Sequence, residues 1–530
     1  MLYATETFTP AEAEVLERHF TNLDRPVFAL VNLPEVVKGA LFARYSRTHK
    51  SLRRLFLDEF ADDLDDSAGG PDPALTGRGR AEALYDRVFV EYGDDSVAQL
   101  GGVHLACEQA SNLLTKVLEW GRLMAYLEQS TRYLAYDERL AGRYRYWRDP
   151  SVLDSPLGAR YVAEMDVLFD AYSAAVGKVL EWARQRFPKE PGDSDFVWRQ
   201  TIKARAYDAV RGMLPAASLS NVGIYGTGQS YEALLLRMRA HPLPEVRRYA
   251  QMMLEELRLV IPSFLKRVDR EDRGVAWSAY LEERRTMTAA LAAHLLGDEE
   301  AEPRPAVMLV DWDPEGEDKV LAAILYSSCH LPEDQIFARV RKLAPEERFA
   351  VLDGYVGERS NRRHKPGRAF ERVSYRFDVL ADYGAFRDLQ RHRMLTLEWQ
   401  PLSPAHGYVM PEAVVEAGAA GLFEEAMERS AGLYADLVGP FPAEAAYAVA
   451  LAYRVRFVMQ MNAREAMHVI ELRTTPQGHE AYRAICQEMW RLIRDQAGHP
   501  GIAEAMRFVD TSGGGLGRLQ AERRAEKKRS

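Results

Sequence analysis

The sequence is poor in cysteine and has no long apolar run. Its 530 residues include three cysteines, Cys107, Cys329 and Cys486, which lie far apart along the chain. This scarcity excludes a disulfide framework and a cysteine-rich metal site, and it suits a reducing compartment, so we expect a cytoplasmic protein. The longest apolar stretch, at 445–453, is too short to cross a bilayer.

The chain also lacks the excess of basic residues that is typical of nucleic-acid binders. Its formal net charge is -9, so any contact with a polyanion must be local. Basic and aromatic residues alternate at 143–148. This pattern can bind single-stranded nucleic acid, but more commonly its long side chains cover apolar surface. We therefore expect neither a membrane nor a nucleic-acid partner.

What the sequence does contain is an internal repeat. RPVFALVNLPEVVKGALFARYSR, from Arg25, and RPAVMLVDWDPEGEDKVLAAILYSSC, from Arg304, both predict a short strand, a turn with proline and a helix. A second pair lies at 101–122 and 369–393. In its later copy apolar residues alternate through 373–379, Asp382 follows as the expected N-cap, and in the earlier copy Ser111 is the expected cap. Long gaps separate the copies, which indicates a duplication and not a solenoid.

The acidic, proline-bearing segment 296–305 is the predicted linker between the two copies. We therefore predict a first half at 1–298, a second half at 306–512 and a flexible basic tail at 513–530. The segment 62–79, rich in aspartate, glycine and proline, predicts a surface insert.

Three short segments carry candidate functional residues. Arg391, His392 and Arg393 form a cationic cluster that an anionic ligand would stabilise, although basic residues also complement the dipole at a solvated helix end. Asn462 and Arg473 lie about 20° apart on one helical face with an apolar middle. That face suits a pocket wall for a flat ligand, or an ordinary buried face with satisfied polar ends.

The third segment is EQSTRY, at 128–133. Ser130 and Arg132 are close enough in sequence to meet one phosphate, and Glu128 could accept a hydrogen bond from a sugar or a base. A polar loop is the alternative interpretation.

Together these segments resemble the flavin-dependent thymidylate synthases. The family's hallmark is Arg-His-Arg, a short spacer and Ser-x-Arg-Tyr, and here it is divided between the halves. In the family the positions matched in the second half hold the flavin, and the position of Arg473 holds the pyrimidine. The matched flavin residues are Glu371, Arg391, His392, Arg393, Asn462 and Arg464.

The first half resembles the nucleotide-binding part of the family pattern. Its matches to dUMP-binding residues are Glu128, Ser130, Arg132 and Arg211, and the match to Arg473 is Arg237, followed by His241 at a flavin-contacting position. It departs from the pattern at Trp120 and Gly121, which replace Arg-His, at Gly226, which replaces Asn, and at Gln99, which stands where the second half has Glu371. In the second half, the loop 401–407 lacks the Ser-x-Arg-Tyr arginine.

The resemblance implies an α+β fold of two homologous halves, each with long helices on a small, mostly antiparallel sheet. It implies transfer of a one-carbon unit from methylenetetrahydrofolate to dUMP, with hydride from FAD and NADPH as the reductant. Arg473 and Arg237 are then the catalytic candidates, one of them mainly structural. The family's tetrameric assembly implies a homodimer that acts as a pseudo-tetramer.

The alternative function is a decayed paralogue that binds flavin or a nucleotide without methylating it. No dinucleotide-binding glycine motif, phosphate-binding loop or zinc-ligand spacing occurs in the sequence, so we predict no metal site.

Overall fold

The structure, a computed structural model, describes residues 6–45, 48, 50–61, 99–131, 134–139, 141–191, 194–297 and 299–512. The predicted insert at 62–79, Arg132 and the predicted tail at 513–530 lie outside these described residues. The described chain is a mixture of helices and two small sheets. The helices are α1 Pro10–His19, α2 Glu35–Tyr45, α3 Leu52–Glu59, α4 Asn112–Leu118, α5 Pro150–Leu153, α6 Gly158–Arg186, α7 Asp195–Val210, α8 Gly228–Arg239, α9 Pro244–Val260, α10 Ala276–Leu296, α11 Gly316–Tyr326, α12 Glu333–Val340, α13 Pro345–Val356, α14 Tyr383–Gln390, α15 Glu412–Glu416, α16 Ala420–Val438, α17 Ala463–Arg473, α18 Glu480–Asp495 and α19 Pro500–Ala505. The strands are β1 Gly102–Ser111, β2 Met124–Glu128, β3 Leu219–Thr227, β4 Val307–Trp312, β5 Ser374–Asp382, β6 Thr396–Trp399 and β7 Arg454–Asn462.

The chain divides into two compact units whose limits cut across the sequence. The first unit comprises Met1–Glu108, Leu123–Glu128 and Asn221–Glu300, and the second comprises Gln109–Arg122, Gln129–Ser220 and Ala301–Ser530. The predicted halves describe a repeat in the sequence, whereas the units describe packing. Much of the first half of the sequence therefore packs in the second unit.

The first unit is built on a three-stranded sheet with the order β1-β3-β2. Residues on β3 alternate between buried and exposed, as expected for a strand with one face on a core. Helices α8 and α9 pack together, and Leu234, Leu254 and Phe264 are fully buried. The Tyr231 hydroxyl donates to the carbonyl of Val103 (3.0 Å), which ties α8 to β1.

The second unit is built on a four-stranded antiparallel sheet with the order β4-β5-β7-β6. Tyr375, Phe377 and Met459 are fully buried on one face of this sheet. Helix α18 packs against β4 and β5, and the 29-residue helix α6 packs against α7 and α16. The α+β prediction with long helices on small antiparallel sheets is confirmed.

The caps predicted in the second repeat pair are confirmed. Asp382 Oδ1 accepts from the Ala385 N–H (2.8 Å) at the start of α14, and Ser111 Oγ accepts from the Leu114 N–H (3.1 Å) at the start of α4. The strand predicted early in the first repeat is wrong, because residues after Arg25 form only a single bridge, between Phe20 and Leu30. The corresponding later segment does form a strand, β4.

Two further expectations concern surfaces. Among the described residues, no helix combines the length and the apolar character that a bilayer crossing requires. In the basic and aromatic segment 143–148, Tyr144 and Tyr146 are buried, and the Arg148 guanidinium lies 3.8 Å from the centre of the Tyr146 ring. These two rings therefore belong to the core and are not available to stack on bases.

Candidate functional site

The Arg-His-Arg segment directly follows α14, whose start is fixed by the Asp382 cap. His392 is buried, Arg391 is half-buried and Arg393 is exposed. The Arg473 Nε–H donates to His392 Nε2 (2.9 Å), so the neutral imidazole carries its proton on Nδ1. Burial, and then the nearby Arg473, hold the pKa of His392 well below its ordinary value. This histidine is therefore a neutral group in a cationic setting.

Arg473 lies at the end of α17, as the helical spacing predicted. Asn462 is the N-cap of that helix, and its Oδ1 accepts from the Glu465 N–H (2.9 Å). Ala466 and Val469 are fully buried between the two polar ends. Arg473 also donates through Nη2 to the backbone carbonyl of Asp388. The ends of α14 and α17 are thus joined through one guanidinium.

Asp388, in the last turn of α14, is the centre of a buried cluster of arginines. Its Oδ2 accepts from Arg211 Nη1 (3.4 Å), its Oδ1 is paired with Arg391, and Arg473 Nη1 lies 3.7 Å from the same Oδ1. The Arg211 and Asp388 side chains are 5% and 8% exposed. The sequence analysis did not single out Asp388, although its position three residues before Arg391 was a usable signal.

Arg211 reaches this cluster from the first half of the sequence because its backbone segment pairs with the second half. The Ala216 N–H donates to the Val449 carbonyl (2.8 Å), and the Ala452 N–H donates to the Gly212 carbonyl (2.8 Å). A Cβ added at Gly212 would lie 2.9 Å from the Ala452 Cβ, so this close approach requires glycine.

Arg464 and Glu371, two predicted flavin residues, also lie together. Arg464 Nη1 is 3.6 Å from Glu371 Oε1, and Arg464 Nε donates to the Pro366 carbonyl (2.9 Å). Glu371 also pairs with Arg368. The second unit therefore gathers all the second-half residues that the sequence analysis selected.

The structure places two residues that the sequence analysis missed beside His392. Glu465 Oε1 is 3.7 Å from His392 Nδ1, and the His392 and His468 ring centres are 5.5 Å apart. Burial raises the pKa of Glu465 to about 7, and burial followed by Lys365 lowers the pKa of His468 to about 4. The Glu-x-x-His spacing on one helix face was the available signal.

These three side chains have ligand atoms within 4.8 Å of one another, a grouping that can hold a metal ion and that the sequence analysis did not predict. However, Arg473 already occupies the lone pair of His392 Nε2. Lys365, Arg464 and Arg393 also act electrostatically on Glu465. This surrounding positive charge opposes a cation and favours an anionic ligand.

The remaining predicted residues belong to other parts of the chain. Ser130 is half-buried in the second unit, beside Gln129, whose carbonyl accepts from Ser220 Oγ (3.3 Å). Glu128 is buried at the end of β2 in the first unit. Arg132 is outside the described residues, so the complete EQSTRY segment is not placed.

Arg237 and His241 lie near the end of α8 in the first unit. Burial lowers the pKa of Arg237, and burial followed by Arg285 lowers the pKa of His241 to about 4. His241 Nδ1 accepts from the Leu243 N–H (3.2 Å) just before α9. In the described structure this histidine therefore caps the chain locally.

The positions that match flavin residues in the first half are closed by packing. A Cβ added at Gly226 would lie 2.4 Å from Met124 Cε, and one added at Gly228 would lie 2.7 Å from Phe264 Cβ. Gly226 matches Asn462, and Gly228 therefore matches Arg464. A longer side chain at Gly228 would have to displace the core beside Phe264, whereas at Gly226 the end of the Met124 side chain would have to move.

Comparisons with known proteins agree with this duplicated architecture. A family model described as thymidylate synthase complementing protein matches residues 42–263 and 308–498. The chain is 39% identical over 533 residues to a UPF0159 protein of Chlamydia pneumoniae, with 99% of each chain covered. It is also 32% identical over 514 residues to a UPF0159 protein of Thermoplasma acidophilum, covering 92% of this chain and 97% of that protein.

The two matched regions lie on either side of the predicted linker and together span more than half of the chain. The repeat inferred from the sequence is therefore confirmed as a repeat of one family module. By these matches the chain belongs to the thymidylate synthase complementing protein family, the flavin-dependent thymidylate synthases, as a member in which the module occurs twice.

Proposed function

We propose that the protein is a flavin-dependent thymidylate synthase that converts dUMP to dTMP with methylenetetrahydrofolate. The observation that carries this proposal is the contact between Arg211 and Asp388, beside Arg391 and Arg473. A divided site requires nucleotide-binding and flavin-binding residues to meet although they come from different halves of the sequence. Through Asp388, the predicted nucleotide-binding Arg211 lies beside the predicted flavin-binding Arg391 within one chain, which supports such a site.

The second-unit cluster fits a flavin dinucleotide, whose pyrophosphate is anionic and whose ring is flat. Arg391, Arg393 and Arg464 offer cationic donors, and the neutral His392 offers a hydrogen-bonding group that does not itself need a counter-ion. When bound, FAD supplies the hydride, with NADPH as the proposed reductant. Arg391, His392, Arg393, Asn462, Arg464 and Glu371 are the residues that would hold it.

Arg473 would stabilise the negative charge that develops on the pyrimidine ring. Its contacts with His392 and Asp388 fix the guanidinium before the substrate binds, which is the condition for efficient electrostatic stabilisation. One such donor contributes about 3 kcal/mol to lowering the barrier in a dry site. The nucleotide phosphate would be held by Ser130 and Arg132.

The cysteines also support a mechanism without a protein nucleophile. Burial raises the pKa of both Cys107 and Cys486 to about 12. These two thiols remain protonated at neutral pH and cannot act as thiolates. The flavin-dependent reaction needs no protein thiolate.

A decayed paralogue remains the second candidate, and the closed glycine positions of the first half favour it. Met124 and Phe264 lie where two matched flavin residues would stand, which supports loss of the flavin site in one copy. A paralogue in which the second copy had also lost catalysis would bind FAD or dUMP and form no dTMP.

The test is rescue of a thymidine-requiring bacterium, combined with dTMP formation by the purified protein. We expect rescue, flavin absorbance near 450 nm and dTMP formation that depends on dUMP, methylenetetrahydrofolate and NADPH. The control for site variants such as Arg473→Ala is Arg456→Ala, which removes a partly exposed ion pair with Asp378 (3.0 Å) on the sheet of the same unit. A folded yellow protein that makes no dTMP would select the decayed paralogue.

The proposed assembly is a homodimer with one flavin site per chain. Light scattering gives the number of chains, and flavin absorbance gives the number of FAD molecules per chain. Two FAD molecules per chain, one for each half of the sequence, would contradict the divided site.

A further inference from the structure

Asp388 is a single carboxylate that three arginines from three different segments share. Arg211 follows α7, Arg391 follows α14, and Arg473 ends α17. The arginine contacts use both carboxylate oxygens, because Arg211 takes Oδ2 whereas Arg391 and Arg473 share Oδ1. One carboxylate therefore lies within ion-pair distance of three guanidinium groups.

Arg473 is held by Asp388 in two ways. Its Nη2 donates to the Asp388 backbone carbonyl, and its Nη1 faces the Asp388 carboxylate at 3.7 Å. Its Nε is fixed by His392, and its guanidinium lies 5.3 Å from the centre of the Tyr482 ring. A guanidinium held from several directions keeps one orientation, whereas a free arginine side chain samples many.

Arg211 is held on the other side of the same carboxylate. Gly384, one turn earlier on α14, leaves room for this guanidinium, since a Cβ there would lie 3.3 Å from both Nε and Nη2 of Arg211. The Arg211 and Arg473 guanidiniums therefore lie on different oxygens of the same Asp388 carboxylate. In the family that the sequence resembles, the arginine at the position of Arg211 contacts the nucleotide phosphate, and the arginine at the position of Arg473 contacts the pyrimidine.

We propose that Asp388 is a positioning residue that sets the spacing of Arg211 and Arg473 and thereby selects a nucleoside monophosphate over a nucleoside. This inference rests on the proposed function and names a specificity determinant for it. Asp388 itself does not touch the reacting atoms. It acts by holding Arg211, the proposed phosphate contact, in place relative to Arg473, the proposed pyrimidine contact.

An alternative role for Asp388 is plain charge balance, and the two roles predict opposite results. If the carboxylate only neutralises the arginines, Asp388→Asn leaves more positive charge near the substrate, and the preference for the charged dUMP over deoxyuridine rises. If it positions them, the same substitution loosens the Arg211 guanidinium while Arg473 stays held by the Asp388 backbone carbonyl and His392, so their relative placement is lost and the preference falls. Asp388→Glu keeps the charge but moves the carboxylate, so only positioning predicts a loss there.

The experiment measures binding of dUMP and of deoxyuridine by calorimetry, and kcat/KM for each, in Asp388→Asn, Asp388→Glu and the wild-type protein. We expect the preference for dUMP to fall about 10- to 100-fold in both variants, as for loss of a hydrogen bond between charged groups. The control is Asp378→Asn, which breaks the Asp378–Arg456 pair (3.0 Å) in the same unit and should leave the preference unchanged. Flavin absorbance and circular dichroism establish that each variant is folded.

An unchanged or increased preference in Asp388→Asn, or an intact preference in Asp388→Glu, would overturn the inference. If Asp388→Asn does not fold, Arg211→Lys tests the same contact, because lysine keeps the charge and lacks the forked donor. Since calorimetry needs no turnover, a wild-type protein that prefers dUMP but makes no dTMP would overturn the proposed function and leave this inference standing. A wild-type protein with no preference for dUMP would overturn the inference.

Discussion

The strand and helix formed by β3 and α8 are matched by β7 and α17, and the comparison separates what the repeat preserved from what it lost. Both helices begin with a side-chain cap, Thr227 in the first copy and Asn462 in the second. Both carry an arginine in the last turn, Arg237 and Arg473. Both copies therefore keep a strand, a capped helix and an arginine in its last turn, although the cap lies one residue later in the first copy.

The copies differ in what surrounds the start of each helix. Arg464 pairs with Glu371 in the second copy, whereas the first copy has Gly226 and Gly228 packed against Met124 and Phe264. The first copy is packed with apolar side chains at this place, and such packing resists change because each added atom must displace a neighbour. The start of the helix is thus polar in the second copy and packed with apolar side chains in the first.

The strongest test of this difference compares Arg473→Ala with Arg237→Ala. Arg473 is oriented by His392 and Asp388, so its loss should lower kcat for dTMP formation about 100- to 1000-fold, the effect of removing one preorganised donor. Arg237→Ala should change kcat by less than about tenfold, because we assign it the structural role. Equal losses in two folded variants would show that both copies contribute to catalysis.

Flavin binding and nucleotide binding should separate between the copies. His392 is one of the predicted flavin-binding residues, so the purified His392→Ala variant should lose most of its flavin absorbance at 450 nm while calorimetry still detects dUMP binding. Arg132→Ala should retain the flavin and require more dUMP, as the resemblance implies. Equal flavin retention by the two variants would remove this assignment.

The closed state of the first copy predicts that restoring the family residue will not restore a site. Gly226→Asn should lower the free energy of unfolding by about 1–3 kcal/mol through overpacking against Met124, and it should add no FAD. Gly223→Asn on the same strand is the control, since a Cβ there would meet its nearest atom only at 3.9 Å. Urea denaturation measures both. A stable Gly226→Asn protein with a second FAD per chain would show that the first copy is still open.

The smallest expected effect is on the pH dependence of stability. It arises from a difference between the copies, since the second has Glu465 where the first has Gln229. The folded pKa of Glu465, raised by burial from 4.5 to about 7, means that the folded protein binds more protons than the unfolded chain between these values. This group's contribution to stability is therefore complete below about pH 4.5 and is lost as the pH rises to about 7.

Glu465→Gln removes that titration. The variant should become more stable relative to the wild-type protein as the pH rises through this window, as measured by urea denaturation at several pH values. His468 stays in place in both proteins, so its opposite dependence cancels in the comparison. A constant difference at every pH would show that Glu465 is not buried in the neutral form.

Much of the local structure could be predicted because its signals lie within a few residues. The alternation at 373–379 and the Asp382 cap led to β5 and α14, and the spacing of Asn462 and Arg473 led to α17. The prediction of a strand after Arg25 was wrong because an apolar run forms a strand only when the edge of a neighbouring strand pairs with it.

The site residues also fall into two groups, those with a local sequence signal and those without one. The Arg391–Arg393 cluster was visible as three adjacent charges, but Asp388 and Glu465 became relevant only through contacts with distant segments. Arg211 and Asp388 are 177 positions apart, and no local pattern reports such a contact. The sequence analysis expected the two halves to pool residues, and Arg211 was selected by the resemblance, but its partner was not.

The backbone pairing of Gly212 with Ala452 and of Ala216 with Val449 has a consequence for concentration. The two backbone segments of this contact belong to one polypeptide, so their association is intramolecular and its strength does not depend on the protein concentration. The junction that brings Arg211 to Asp388 survives dilution that would separate two chains joined by the same hydrogen bonds. Covalent fusion has made this part of the site a property of the individual molecule.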